Sequence, residues 1–254
     1  MTERSSDPIG ADPAIPEDIE RVIEQVEGDR PAPVGIVRRE TLDREIRLIK
    51  DAILRMGSLC QDAVRRAADA LVRHDADLAR AVIRDDALVN EVQASITRLV
   101  SVTIATQQPV AHDLRLLLTL DHVSYELERM GDHAASVAKA VVKLSPEAPL
   151  EGYVHMPEMA ARAADVIHAV LRALVDEDPA AARDAAAADD AIDDLYHATF
   201  DEVVELMRQD PENVERGARI LLASHYLERI GDRATNIAED VVFLATGDVE
   251  DLNP

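Results

Sequence analysis

Cysteine is almost absent from this chain. Cys60 is the only one, which excludes an intrachain disulfide and a zinc site built from thiolates. A lone cysteine among apolar neighbours is expected to be a small core residue. Aromatics are nearly as scarce, with two phenylalanines, four tyrosines and no tryptophan. The core therefore has to be built from Leu, Val, Ile and Ala, and little is available to stack a base or a sugar ring. Positive charge is also in short supply. Lys50, Lys139 and Lys143 are the only lysines, and 50 acids against 27 bases leave a formal charge of -23. A phosphate backbone or an anionic membrane recruits basic surfaces, so neither is an expected partner. No run approaches the roughly 18 apolar residues that a membrane span requires. The N-terminus lacks the basic region and apolar run of a signal peptide, which places the protein, as an expectation, in a reducing cytoplasm. No Walker loop, nucleophile elbow or dinucleotide fingerprint occurs.

The apolar pattern is helical throughout. Residues 1–36 carry five prolines among acids and are expected to form a disordered acidic extension. From Leu42 onward, Ile46, Ile49, Ile53, Met56 and Cys60 follow three-four spacing. That first helix should end near His74. The second should run over 77–106, and the third, after the Pro109 break, over 110–144. Pro146 and Pro149 mark a linker. The second half repeats the plan, with helices over 157–175, 178–209 and 210–246. Asp178-Pro179 and Asp210-Pro211 supply a cap and a first helical residue to the last two. Nothing alternates with period two. The expected fold is all-α, with six long helices in two tandem antiparallel three-helix bundles: 37–145 and 153–246, followed by a tail over 247–254.

One feature makes this a repeat. Ser124 to Val142 reads SYELERMGDHAASVAKAVV, and one hundred positions later Ser224 to Val242 reads SHYLERIGDRATNIAEDVV. Glu128 and Asp132, and likewise Glu228 and Asp232, stand four apart and share one helix face. A second acidic pair lies on the preceding helix. In the second half it is Asp190 and Asp194, with Asp189 and Asp193 alongside and His197 one turn on as an additional ligand. Aligned with a four-residue gap, the first-half counterparts are Asp86 and Asn90. Four convergent carboxylates need a counter-cation, supplied either by arginines such as Arg129 and Arg229 or by a metal ion. Gly131 and Gly231 lie between the acids of each pair, inside helices that they weaken by about 0.5–1 kcal/mol, which suits close approach of a neighbouring helix or a ligand.

The segment Leu227 to Glu239, LERIGDRATNIAE, resembles the signature of the PhoU family of phosphate-signalling regulators. Pro109, Asp113-Leu114-Arg115 and the LERMGD segment starting at Leu127 are similar to the family's first-half pattern. The resemblance spans about residues 37–246. It implies a cytoplasmic, non-catalytic negative regulator of phosphate uptake and of the phosphate-starvation response. Such a regulator couples the ATPase subunit of a phosphate ABC transporter to a sensor histidine kinase, as a homodimer, with iron or zinc clusters at paired acidic motifs. Carried over, the metal residues are Asp190, Asp194, Glu228 and Asp232, and in the first half Asp86, Glu128 and Asp132. Arg115, Arg129, Arg229, Asn236 and Glu239 are the structural or partner-contact positions. The first half departs from the pattern, with Asn90 in place of an acid and Lys139 where the second half has Glu239. The competing readings are a metal-dependent hydrolase or oxidase, and a purely structural helical scaffold.

Overall fold

A computed structural model describes residues 36–147 and 155–252, with side chains from Arg39 onward. Residues 1–35 of the expected extension over 1–36, and most of the linker, thus lie outside the described residues. No strand occurs among those described. The first bundle consists of α1 (Ile36–Arg73), α2 (Ala76–Gln107) and α3 (His112–Leu144). The second consists of α4 (Met156–Asp176), α5 (Pro179–Ala187), α6 (Asp190–Gln209) and α7 (Val214–Thr246). α5 and α6 are the two parts of the expected helix over 178–209, interrupted at Ala188-Asp189. The six-rod architecture read from the apolar spacing therefore holds, with one rod broken.

The helix ends follow from capping chemistry. His74 adopts a left-handed conformation (φ 52°) and Glu177 does the same (φ 51°). Each is followed by an aspartate. Asp75 accepts hydrogen bonds from the backbone of Asp77 and Leu78, and Asp178 from Ala180 and Ala181. A left-handed stop and an Asp start fit two helices around a two-residue corner and satisfy N–H groups that would otherwise lack partners. Asp210 caps a short 3₁₀ turn, Pro211–Asn213, that leads into α7. Gly247, at φ 84°, closes α7 with its N–H on the Phe243 carbonyl at 2.8 Å.

Within each bundle the helices bury aliphatic stripes against one another. Ile49, Met56, Leu99, Leu120, Leu127 and Met130 are fully buried in the first, each contributing roughly 1.5–3 kcal/mol by leaving water. Cys60 is buried too. Its Sγ donates to the Leu127 carbonyl at 3.1 Å, and burial pushes the thiol up to about 12. The bundles join along two seams: α1 packs on α4, where Gly57 leaves room for Leu171, and α3 packs on α7. The α3–α7 seam is antiparallel. Pairs such as His122–Asp240, Glu126–Arg233 and His133–Tyr226 run in opposite directions along the two helices. This long seam holds the two repeats face to face.

Candidate acidic site in each bundle

The LERxGD segments lie in the middle of α3 and α7, and each points its acids toward the second rod of its own bundle. Helix α2 crosses α3 at Gly131, where an added Cβ would stand 3.1 Å from Oδ1 of Asp86 and 3.2 Å from Val89. The break between α5 and α6 crosses α7 at Gly231, where the same atom would stand 1.9 Å from Oδ1 of Asp189 and 3.2 Å from Ile192. Close approach thus leaves no room for a Cβ at Gly231 and little at Gly131, and what approaches is a carboxylate together with a β-branched side chain. The expectation of a close neighbour at these glycines is met on both sides.

This contact corrects the acid register in the second half. Asp189, not Asp190, is the counterpart of Asp86, and Asp193, not Asp194, is the counterpart of Asn90. Asp189 is 4% exposed and Asp193 is half-buried, whereas Asp190, Asp194 and His197 lie on the exposed side of α6. The physical reason is packing: Val89 and Ile192 both fill the space beside a glycine. That fixes the offset between the second rods at 103 residues, since 189 minus 86 is 103. The capping corners agree, because 178 minus 75 is also 103.

The two acid sets are thus Asp86, Glu128 and Asp132 in the first bundle, and Asp189, Asp193, Glu228 and Asp232 in the second. In both, burial and mutual repulsion favour the neutral form. Burial pushes Asp189 up to about 7, with Asp193 and Asp232 adding, a hydrogen bond from Thr235 opposing, and Glu228 adding last. Asp193 and Glu228 are raised by burial and then by Asp232, opposed by His197 and His225 respectively. Asp86 and Glu128 are raised by burial and then by Asp132. Lys139 opposes the rise at Asp86, and Arg129 opposes it at Glu128.

Four carboxylate oxygens of these sets, Oδ1 of Asp86, of Asp189 and of Asp193 and Oε2 of Glu228, are buried without a hydrogen-bond partner. Buried, unpartnered carboxylate oxygens in a like-charged group are what a hard or borderline cation satisfies, so the donor set fits a metal ion. Among the described residues, however, no three His, Cys, Asp or Glu side chains are already drawn together around one point. An ion would have to gather them.

The remaining predicted residues are spread over other tasks. Arg229 donates to Asp232 at 2.8 Å, so that acid is already held from its own helix. Arg129 is largely exposed, with its Nε 3.9 Å from Oε2 of Glu128. Arg115 stacks over Phe243 at 5.7 Å, across the α3–α7 seam. Asn236 donates to Glu126 in the same seam at 3.2 Å, and Glu239 accepts the backbone N–H of Leu252 at 2.9 Å, tying down the tail. Three of the five contact positions therefore serve the fold itself. His225 is the residue whose place matters most beyond expectation: its Nδ1 stands 3.1 Å from Oε2 of Glu228. The corresponding position in the first bundle is Tyr125.

Fold and site together define a class: tandem three-helix units, each with a glycine-seated set of acids and joined through their third helices. Comparison with known proteins gives the class its family. The PhoU domain is matched twice, over residues 53–141 and 156–241. The phosphate-specific transport system accessory protein PhoU homolog of Clostridium acetobutylicum is 33% identical over 216 residues, covering 85% of this chain and 99% of that protein. The protein of the same description from Rhizobium meliloti is 34% identical over 209 residues, covering 81% and 87%. The crystal structure of PhoU from Pseudomonas aeruginosa superposes with a TM-score of 0.76 at 33% identity, covering 81% of this chain and 99% of that one. This chain belongs to the PhoU family.

Proposed function

We propose that this protein is a cytoplasmic negative regulator of phosphate uptake and of the phosphate-starvation response. It acts through protein contacts with the ATPase subunit of a phosphate ABC transporter and with a sensor histidine kinase, as a homodimer and without catalysing a reaction. The observation that carries this reading is the match, over 85% of this chain, to a protein described as an accessory of phosphate-specific transport, with both PhoU units present. The absence of a helix long and apolar enough to cross a membrane, among the described residues, is compatible with such a role.

The mechanism is a population shift. A transporter or kinase that changes shape with phosphate supply presents different surfaces, and a rigid helical protein that binds one shape better biases the equilibrium toward it. Exposed apolar side chains for such contacts are Leu118 and Tyr125 on α3 and Leu222 on α7. The acid sets are the place for iron or zinc, whose charge would release the strain of the crowded carboxylates and fix α2 against α3 and α6 against α7. The direct test is co-purification of the full chain with the ATPase subunit of the host's phosphate transporter. Retention is expected, and substituting Leu118 and Leu222 with Asp should weaken it at least tenfold. No retention of the unaltered chain would contradict the reading.

A further inference from the structure

We infer that residues 15–26, which precede the first helix, dock as an amphipathic helix on the exposed apolar patch where the start of α3 meets the end of α7. A partner for that patch then has to displace the chain's own acidic segment. Leu118 is among the side chains offered above to the transporter subunit, so the segment restrains that contact. This consequence rests on the proposed function, whereas the docking itself does not.

The antiparallel seam builds the patch. On α3, Arg115 lies over the Phe243 ring at 5.7 Å and donates to the Phe243 carbonyl at 3.5 Å, and His122 meets Asp240 at 2.6 Å. Leu118 stands between those two contacts, one turn from each, which sets it beside Phe243. Leu118 is 55% exposed, and Phe243 and Val249 are exposed as well. Val249 lies two residues beyond Gly247, where an added Cβ would stand 2.8 Å from Nη1 of Arg115. Its neighbour Glu250 is clamped by Arg183 at 2.6 Å, so Val249 is held in place and still uncovered. Apolar side chains grouped around one cation, rather than scattered singly, mark a contact surface. Arg115 has no carboxylate partner among the described residues, in a chain of formal charge -23.

The occupant is in the chain. Ile15, Ile19, Val22, Ile23 and Val26 repeat at the spacing of one helix face, and Glu20, Glu24 and Glu27 line one edge of that stripe. Over 15–27 the acids Glu17, Asp18, Glu20, Glu24 and Glu27 stand against the single base Arg21, a charge that suits Arg115. A short apolar stripe of this kind gains its helical stability from a surface it can pack on. The reach is sufficient. α1 begins at Ile36, and Arg39 pairs with Asp113 at the start of α3, so the extension leaves the bundle at the end that holds the patch. Residues 27–35 span up to about 30 Å, against the roughly 10 Å diameter of the helix they have to cross. Residues 1–35 precede both matches to the PhoU domain, so the segment is an addition to the domain and not a part of it.

The chain has no tryptophan, so Ile23→Trp in the full chain places a single emission reporter inside the segment. Acrylamide should quench it at least threefold less effectively than in the same chain carrying Leu118→Asp, where its emission should also shift to the red. Glu20→Lys together with Glu24→Lys should release the reporter in the same way, by setting lysines against Arg115. Val72→Asp, an exposed position at the far end of α1, should leave the quenching unchanged. Circular dichroism on each variant separates release of the segment from loss of fold. Equal quenching with and without Leu118→Asp would overturn the inference. Protection that vanishes on dilution would also overturn it, by giving the patch to a second copy of the chain. Neither result depends on whether the transporter subunit binds.

Discussion

Asp189→Asn should stabilise the metal-free protein at neutral pH, and by an amount that depends on pH. In the folded chain burial and three neighbouring acids push the Asp189 carboxyl from an ordinary 3.8 up to about 7. The unfolded chain keeps the ordinary value, so between pH 4 and pH 7 the folded state binds more protons than the unfolded one. Stability is then fully present below pH 4 and falls as pH rises toward 7. A shift of roughly three units at about 1.4 kcal/mol each sets a ceiling near 4 kcal/mol. Small rotations and water entry at the α5–α6 break reduce this, and about 2 kcal/mol is expected. Asparagine keeps the shape and the acceptor for Thr235 but cannot ionise. Urea unfolding followed by helical circular dichroism, in EDTA, at steps from pH 3.5 to pH 8, measures the effect as wild type minus variant. The difference should be near zero at pH 3.5 and should grow to about 2 kcal/mol in favour of Asn by pH 7.5. Parallel stabilities across that range would refute the account of Asp189 as a buried, uncompensated acid.

Four further outcomes follow from the glycine contacts, the first-bundle core and the α3–α7 seam. Gly231→Ala should destabilise by about 1–3 kcal/mol, because a methyl group there displaces the Asp189 carboxylate. Gly131→Ala, whose methyl meets its nearest atom at 3.1 Å, should cost less than about 1 kcal/mol because the helix propensity gained offsets the crowding; both are read by urea unfolding. Cys60, buried with its thiol pushed up to about 12, should react with a thiol reagent only as fast as the chain unfolds globally; rapid labelling of the native protein would contradict the buried assignment. At the α3–α7 seam, the hydrogen bond to Asp240 raises the His122 ring above its ordinary 6.5. Its contribution is present below pH 6.5 and is lost as pH rises through the raised value. His122→Gln should therefore lower stability at pH 6 by less than about 1 kcal/mol, given the half-exposed ring, and by nothing at pH 9; thermal melts at the two values decide it.

Much of the architecture was legible from apolar spacing and punctuation. Aspartate followed by proline marks the starts at 178 and 210, Gly247 marks the last stop, and the three-four spacing of Leu42 to Cys60 identifies α1. The break at Ala188-Asp189 was not legible, because an alanine-rich stretch reads as continuous helix and the turn inside it carries no glycine or proline. The acid register was misread for a specific reason. The doublets Asp85-Asp86-Ala87 and Asp189-Asp190-Ala191 align by identity at an offset of 104, whereas packing obeys 103. Identity counts solvent-facing acids as heavily as buried ones, while the glycine seat sees only Val89 and Ile192. The caps at Asp75 and Asp178 carried the correct offset all along. His225 was visible as a histidine beside the LERIGD segment, but its approach to Glu228 depends on a rotamer that spacing does not set.

The claim at the centre of this account is that the protein restrains phosphate uptake and the starvation response. Deleting the coding sequence and measuring alkaline phosphatase and labelled phosphate uptake in cells grown on abundant phosphate tests it most directly. The account predicts that both rise severalfold and return to baseline when the full chain is restored. Unchanged phosphatase and uptake, in a strain with no second PhoU protein, would contradict it.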